Sequence, residues 1–397
     1  MTTSTSSDGL ERTAPGAAAQ PIPFNRPFMV GTELDHVREA NRRLQLAGDG
    51  HFTSLCSGWL EQRTGCQAAL LTHSCTAALE MAAILADIGP GDEIVMPSYT
   101  FVSTANAFVL RGGLPVFVDI RPDTLNIDES KIEAAITERT RAIVVVHYAG
   151  VACEMDTVMA IAARHGLLVI EDAAQGAMAS YRGRALGSIG QMGTLSFHET
   201  KNIMSGEGGA LLVNDPALAH RARLIREKGT NRTEFLQGKV DKYTWVDIGS
   251  SYLPGEMTAA FLWGQIQAAD EITSRRLALW DVYHGAFEGL EASGHLRRPA
   301  VPAECTGNAH MYYILLPDRA ARPGFIDQLA QRGINAVSHY VPLHSSPGGM
   351  RFSRAAAELP LTADLADRLV RLPLWIGLED QQPRVIDAVH EILLRGN

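Results

Sequence analysis

Short, continuous apolar runs alternate with stretches whose apolar residues recur at helical spacing. The runs at 68–71, 93–96, 115–119, 142–147, 167–171, 194–197 and 210–213 have the length of strands. Most lack the apolar–polar alternation of a half-solvated sheet, so they predict a sheet buried on both faces. Between them, Met81, Ile84, Leu85 and Ile88 fall on one face of a helix over 76–88. Val158, Ile161 and Ala162 do the same over 156–165. Strand–helix alternation of this kind predicts an α/β fold: a large, mostly parallel sheet with helices on both sides.

The alternation fades after about residue 215. A charged helical stretch (216–228) precedes a polar loop (229–237), and a long helix is expected over 254–286. Beyond it, strands at 311–316 and 336–340 mix with helices at 324–332, 362–371 and 382–394. The expected organisation is a tail over 1–20, a large α/β domain over 21–280 and a smaller α+β domain over 281–397. The tail is rich in Thr, Ser, Ala and Gly and has no basic start followed by an apolar run, so it is expected to be disordered and not to be a secretory signal.

Composition narrows the function classes. The formal charge of -9 argues against a nucleic-acid-coating surface. No apolar stretch approaches the roughly 18 uncharged residues that span a bilayer. Cys56, Cys66, Cys75, Cys153 and Cys305 are odd in number and contain no C-x-x-C pair, which argues against a disulfide framework or a zinc site. A reducing cytoplasm is the expected compartment.

Four segments carry candidate chemistry. His73-Ser74-Cys75-Thr76 joins a strand to a helix, where free N–H groups and hydroxyls make an anion site; an ordinary N-cap is the alternative. In Leu168-Val169-Ile170-Glu171-Asp172, the acid at the strand end faces the ligand crevice of an α/β sheet. There Asp172 can keep a pyridine nitrogen protonated, with Gln175 a turn further on; a helix cap is again the alternative. In Ser196-Phe197-His198-Glu199-Thr200-Lys201-Asn202, Lys201 leaves a buried strand. A lysine that forms a Schiff base must lose its proton, which a desolvated pocket favours; an ordinary surface lysine after a strand is the alternative. Ser196 can bind phosphate and His198 can assist proton transfer. Gly206-Glu207-Gly208-Gly209 lets backbone approach that lysine closely. Phe101 is a candidate to stack on a ring, or a core aromatic. P-loop, dinucleotide-binding, zincin and nucleophile-elbow signatures are absent from the sequence.

Taken in order, these segments match the layout of fold-type I pyridoxal phosphate enzymes, and the chain resembles the DegT/StrS family of sugar-nucleotide aminotransferases from Pro23 onward. The runs that carry the likeness are Pro23-Phe24-Asn25, Ser74-Cys75-Thr76-Ala77, the segment from Met96 to Phe108, the segment from His147 to Asp156, Ser196 to Asn202, and Asp247-Ile248-Gly249-Ser250-Ser251-Tyr252-Leu253. The last marks a subgroup, since much of the wider family has a G-Y-N-Y-R type segment there.

The resemblance implies pyridoxal 5′-phosphate on Lys201, with Asp172 on the pyridine nitrogen and Gln175 on the 3-hydroxyl. It implies Ser74, Cys75, Thr76 and Ser196 on the phosphate, and Phe101 on the ring. It also implies a homodimer in which Ser251 completes the partner's phosphate site; relatives place an Asn there. Tyr340 and His344, in His339-Tyr340-Val341-Pro342-Leu343-His344, fall near the family's sugar-nucleotide segment, or form a turn fixed by Pro342. Dehydratase relatives carry histidine where this chain has Lys201, so transamination is expected. The expected partners are L-glutamate and a dTDP-4-keto-6-deoxy sugar, with amination of a 3-keto sugar nucleotide or a non-catalytic regulatory role as alternatives.

Overall fold

The computed structural model describes residues 20–236 and 238–395. The expected tail therefore lies, up to residue 19, outside the described residues. The main sheet has eight strands: β1 (Ala68–Thr72), β2 (Glu93–Pro97), β3 (Leu114–Val118), β4 (Thr140–Val146), β5 (Leu168–Asp172), β6 (Met192–Ser196), β7 (Gly209–Val213) and β8 (Arg354–Ala355). Their order is β1-β7-β6-β5-β4-β2-β3-β8. Strand β7 is antiparallel to both neighbours and every other pairing is parallel. The carboxyl ends of β1, β2, β4, β5 and β6 therefore share one edge, where ligands bind in open α/β sheets.

The apolar runs are continuous because both faces are covered. Leu70, Ile94, Val144 and Ile170 meet helices Cys75–Leu85, Val102–Val109 and Pro216–Arg226 on one side. Leu71, Val95, Val145 and Val169 meet helices His51–Thr64, Met155–His165 and Glu256–Gln267 on the other. Burying each such side chain contributes about 1.5–3 kcal/mol. Local signals end the helices: Ser74 caps Cys75–Leu85 through a bond from Ala77 N at 3.1 Å. Gly166 closes Met155–His165 at φ 64°, a conformation that suits glycine.

A second core gathers Leu279, Tyr283, Tyr312, Ile314, Val370 and Trp375. It encloses a two-stranded antiparallel sheet, Tyr312–Leu315 with Leu369–Leu372. Several sequence expectations differ here. The helix expected over 254–286 is two helices, Glu256–Gln267 and Ala269–Ala286, with Ala268 out of helical geometry between them. The boundary expected near Trp280 falls inside Ala269–Ala286, whose Ala269 packs in the first core and Leu279 and Tyr283 in the second. Ile22, expected in the large domain, packs in the second core and bridges Ile334.

The strand expected at 336–340 is reduced to one bridge, Val337 to Arg371, because His339 and Tyr340 turn away to stack on each other at 3.7 Å. The helix expected over 362–371 stops at Arg368. Leu369–Leu372 is a strand whose ladder with Tyr312–Leu315 Pro373 cannot extend. The loop expected over 229–237 holds a short helix, Arg232–Leu236. Among the described residues, no helix is long and apolar enough to cross a membrane.

Candidate active site

A cavity of about 450 Å³ opens at the carboxyl edge of the sheet, against the second core. Two adjacent acids show how strand pleating makes it. Glu171 and Asp172 point to opposite faces of β5. Glu171 is fully buried and accepts from the N–H groups of Gly187, Ile189 and Gly190 and pairs with His147 Nε2 at 2.8 Å. It is a finished structural node. Asp172, 4% exposed, faces the cavity. Its Oδ2 accepts from Thr104 Oγ1 at 2.6 Å and its Oδ1 from Ala174 N at 3.1 Å. Burial pushes its carboxyl above the usual range, and the Thr104 and Ala174 bonds and the Lys201 charge oppose that rise. A cation beside Asp172 would be strongly held.

Lys201 sits in the loop between β6 and β7. That loop closes on itself: Phe197 N bonds Gly208 O at 2.9 Å, Ser205 N bonds Phe197 O at 2.7 Å, and Lys201 N bonds His198 O at 2.9 Å. Asn202 Nδ2 ties it to Asn308 O at 2.8 Å. Lys201 lines the cavity. Burial pulls its ammonium below the ordinary lysine range, against the opposing charge of Asp172; the positive Arg371 adds to the depression. The neutral amine, the nucleophilic form, is thereby favoured.

Opposite lies the start of helix Cys75–Leu85. The Ser74 side chain is committed to the cap, and Thr76 Oγ1 shares a hydrogen bond with Ser103 Oγ at 2.7 Å. The N–H groups of Cys75 and Thr76 have no acceptor among the described residues, and both residues line the cavity. The cap does not exclude an anion site: it uses the third amide and leaves the first two free. Gly209 makes this possible. A Cβ there would stand 2.4 Å from Cys75 N and 2.5 Å from Ser74 C, so a side chain would push the helix start away. Burial pushes the Cys75 thiol up, so it is a neutral wall.

Phe101 is not a core aromatic: it is 56% exposed and lines the cavity, 6.2 Å from the Tyr340 ring. Gln175 accepts from Ala149 N at 2.6 Å and donates to Tyr340 Oη at 2.8 Å. Ser196, at the end of β6, also lines the cavity. So does His198, whose Nδ1 is shared with Thr200 Oγ1 at 2.9 Å and whose Nε2 lies 3.7 Å from Glu207.

Two expected residues do not line this cavity, of which Ser251 was expected at the partner's site and not at its own. Ser251 is exposed, bridges Glu227 and does not line the cavity. His344 bonds Ser98 Oγ through Nδ1 at 2.7 Å and through its own N at 3.0 Å, which pins the 339–344 turn to the end of β2. The cavity lining includes Tyr340 and not His344.

Thr104, His310, His339 and Arg371 were missed by sequence reasoning. Arg371 carried a signal: it is the lone charge in Leu369-Val370-Arg371-Leu372-Pro373-Leu374-Trp375. Thr104 had none, since its bond to Asp172 depends on two strand ends meeting.

With this geometry in view, the chain matches the model of the DegT/DnrJ/EryC1/StrS aminotransferase family over residues 29–390. It is 32% identical to the spore coat polysaccharide biosynthesis protein SpsC of Bacillus subtilis, covering 94% of this chain and 97% of that one. It is 32% identical to GDP-perosamine synthase of Caulobacter vibrioides, covering 93% and 97%. The crystal structure of the aminotransferase TlmJ from Streptoalloteichus hindustanus superposes with a TM-score of 0.87 at 29% identity, covering 95% of this chain and 100% of that one.

Proposed function

The chain belongs to the DegT/DnrJ/EryC1/StrS aminotransferase family, whose members depend on pyridoxal 5′-phosphate, and from that premise we propose that it moves the amino group of L-glutamate to C4 of a dTDP-4-keto-6-deoxyhexose. The observation that carries this reading is Lys201 beside Asp172 in one cavity, with burial holding the lysine toward its neutral form.

The residues present fit the cofactor. The free N–H groups of Cys75 and Thr76, with Ser74 and Ser196 beside them, suit its phosphate. Phe101 offers a ring face, Asp172 a carboxylate for the pyridine nitrogen and Gln175 an amide for the 3-hydroxyl. When bound, pyridoxal phosphate supplies an electron sink for negative charge at the donor's Cα. Lys201 would anchor the cofactor through its Nζ, and the same Nζ, as a free amine, would take the proton from that Cα. In the second half-reaction the same amine delivers a proton to sugar C4. His198 assists these transfers from the rim. Asp172, held by Thr104 and Ala174, keeps its orientation throughout. Tyr340 faces the substrate through its bond with Gln175, while His344 holds the turn that carries it.

The sugar-nucleotide class is supported by relatives whose names refer to polysaccharide biosynthesis and to GDP-perosamine. The dTDP and C4 assignments rest on the Asp247–Leu253 run. Ser251, exposed and away from its own cavity, is proposed to serve the partner subunit of a homodimer.

The test is direct. Purified protein with L-glutamate should release 2-oxoglutarate when given the 4-keto sugar nucleotide and not when given a 3-keto isomer. Proton NMR couplings of the product identify an axial or equatorial amine at C4. Turnover of the 3-keto substrate alone would refute the C4 assignment.

A further inference from the structure

Among the described residues, Arg371 is the one cavity-lining guanidinium. It stands on the small-domain strand Leu369–Leu372, whose Val370 and Leu372 point into the second core. Pleating therefore sends Arg371 the other way, into the cavity. Its Nε donates to Ser338 O at 3.2 Å and its Cζ lies over the Phe24 ring, 4.6 Å from the centroid. Among the described residues, neither terminal nitrogen has an acceptor and no carboxylate pairs with it. The molecule's buried arginines are treated differently: Arg226 pairs with Asp49, and Arg276 closes on the carbonyls of Ala309 and His310. Burial already weighs on the Arg371 charge. A half-buried guanidinium fixed through its Nε, with both terminal nitrogens unused, is suited to receive a planar anion.

We propose that Arg371 binds the α-carboxylate of the amino donor, and so makes an α-amino acid the donor class. This rests on the transamination proposed above. Position decides between this anion and the substrate's diphosphate. The donor's carboxylate is one bond from the Cα whose proton Lys201 takes, so it must sit in the inner cavity. The diphosphate is separated from C4 by the width of the sugar ring and lies further out. Arg371 and Lys201 line the same cavity, and the charge of Arg371 acts on Lys201.

The experiment uses the cofactor-loaded protein and follows each half-reaction by its visible absorption in a stopped-flow instrument. Wild type, Arg371→Gln and Arg371→Lys are compared, with thermal melts and the cofactor spectrum as controls for folding. The expected result is that Arg371→Gln raises the L-glutamate concentration for half-saturation at least about tenfold, the scale of one lost charge-assisted bidentate contact. Arg371→Lys should lose less. The sugar half-reaction should lose at least about five times less than the glutamate half-reaction. Inhibition by succinate, which has carboxylates and no amine, should weaken in parallel. Equal glutamate saturation in all three proteins would overturn the assignment while leaving transamination intact. Weakened dTDP binding with unchanged glutamate saturation would overturn it in favour of the diphosphate. A wild type that no α-amino acid converts would overturn both readings.

Discussion

The two walls of the cavity are built by different means. The large-domain wall consists of residues at strand ends and the turns that follow them: Ser74 to Thr76 after β1, Phe101 after β2, Asp172 at the end of β5 and Lys201 after β6. Each is placed by its own strand, and the parallel sheet aligns the strands. The small-domain wall holds His310, His339, Tyr340 and Arg371. These come from irregular segments and a two-stranded sheet, and side chains distant in sequence orient them. Tyr148 holds His339 at 2.7 Å, Gln175 holds Tyr340 at 2.8 Å, and Asn202 meets His310 at 3.1 Å. The lesson is a division of labour. The sheet edge carries the groups proposed for chemistry, and the small-domain wall carries those proposed to bind the substrates.

That division is testable from its strongest consequence downward. Lys201→Ala should remove the visible absorption and cut turnover by at least about 10³-fold, because anchor and proton carrier are lost together; retained turnover would break the comparison at its root. Asp172→Asn should lower kcat about 100-fold, the scale of one misplaced charge-stabilising group, with little change in KM for either substrate. The third test is pH. Since burial lowers the Lys201 pKa, the neutral amine should persist below the ordinary lysine range. Cofactor capture by the apoprotein, followed by absorbance, should rise about tenfold per pH unit up to a midpoint below 10.5, then level off. A midpoint at or above 10.5 would remove the burial argument.

Smaller effects probe the other wall. Tyr340→Phe removes a hydrogen bond of about 1 kcal/mol, so KM for the sugar nucleotide should rise about fivefold while kcat holds. A kcat loss as large as that of Asp172→Asn would erase the distinction between walls. His344→Ala should leave KM within about twofold and lower the melting temperature by about 2 °C, because its bonds run to Ser98. A larger KM effect would return His344 to the substrate side.

The same contrast explains what could be read from the sequence. The continuous apolar runs of β1 to β7 fixed the sheet, and its strand ends pointed to Asp172 and Lys201, because strand-end placement is local information. The run at 336–340 looked like another strand. Its Val337 does bridge Arg371, but the His339–Tyr340 stack and the following Pro342 stop pairing there. The boundary expected near Trp280 falls inside one helix for a related reason. Helix Ala269–Ala286 has one continuous pattern, and nothing local marks where its environment changes from one core to the other. Arg371 was visible as an isolated charge in an apolar run, but which cavity it faces depends on pairing with Tyr312–Leu315.

That shared helix limits how relatives of this protein can be recombined. A chimera that borrows another enzyme's substrate-facing wall cannot cross over at residue 280, since the cut would graft half a helix onto a foreign core. The crossover belongs in the break at Ala268 or beyond Ala286. The transplant must also bring its own N-terminal strap, because Ile22 fills the second core and Trp375 Nε1 bonds Pro23 O at 3.0 Å. The exchangeable cassette is discontinuous in the gene: its first few codons lie upstream of the sheet that it covers.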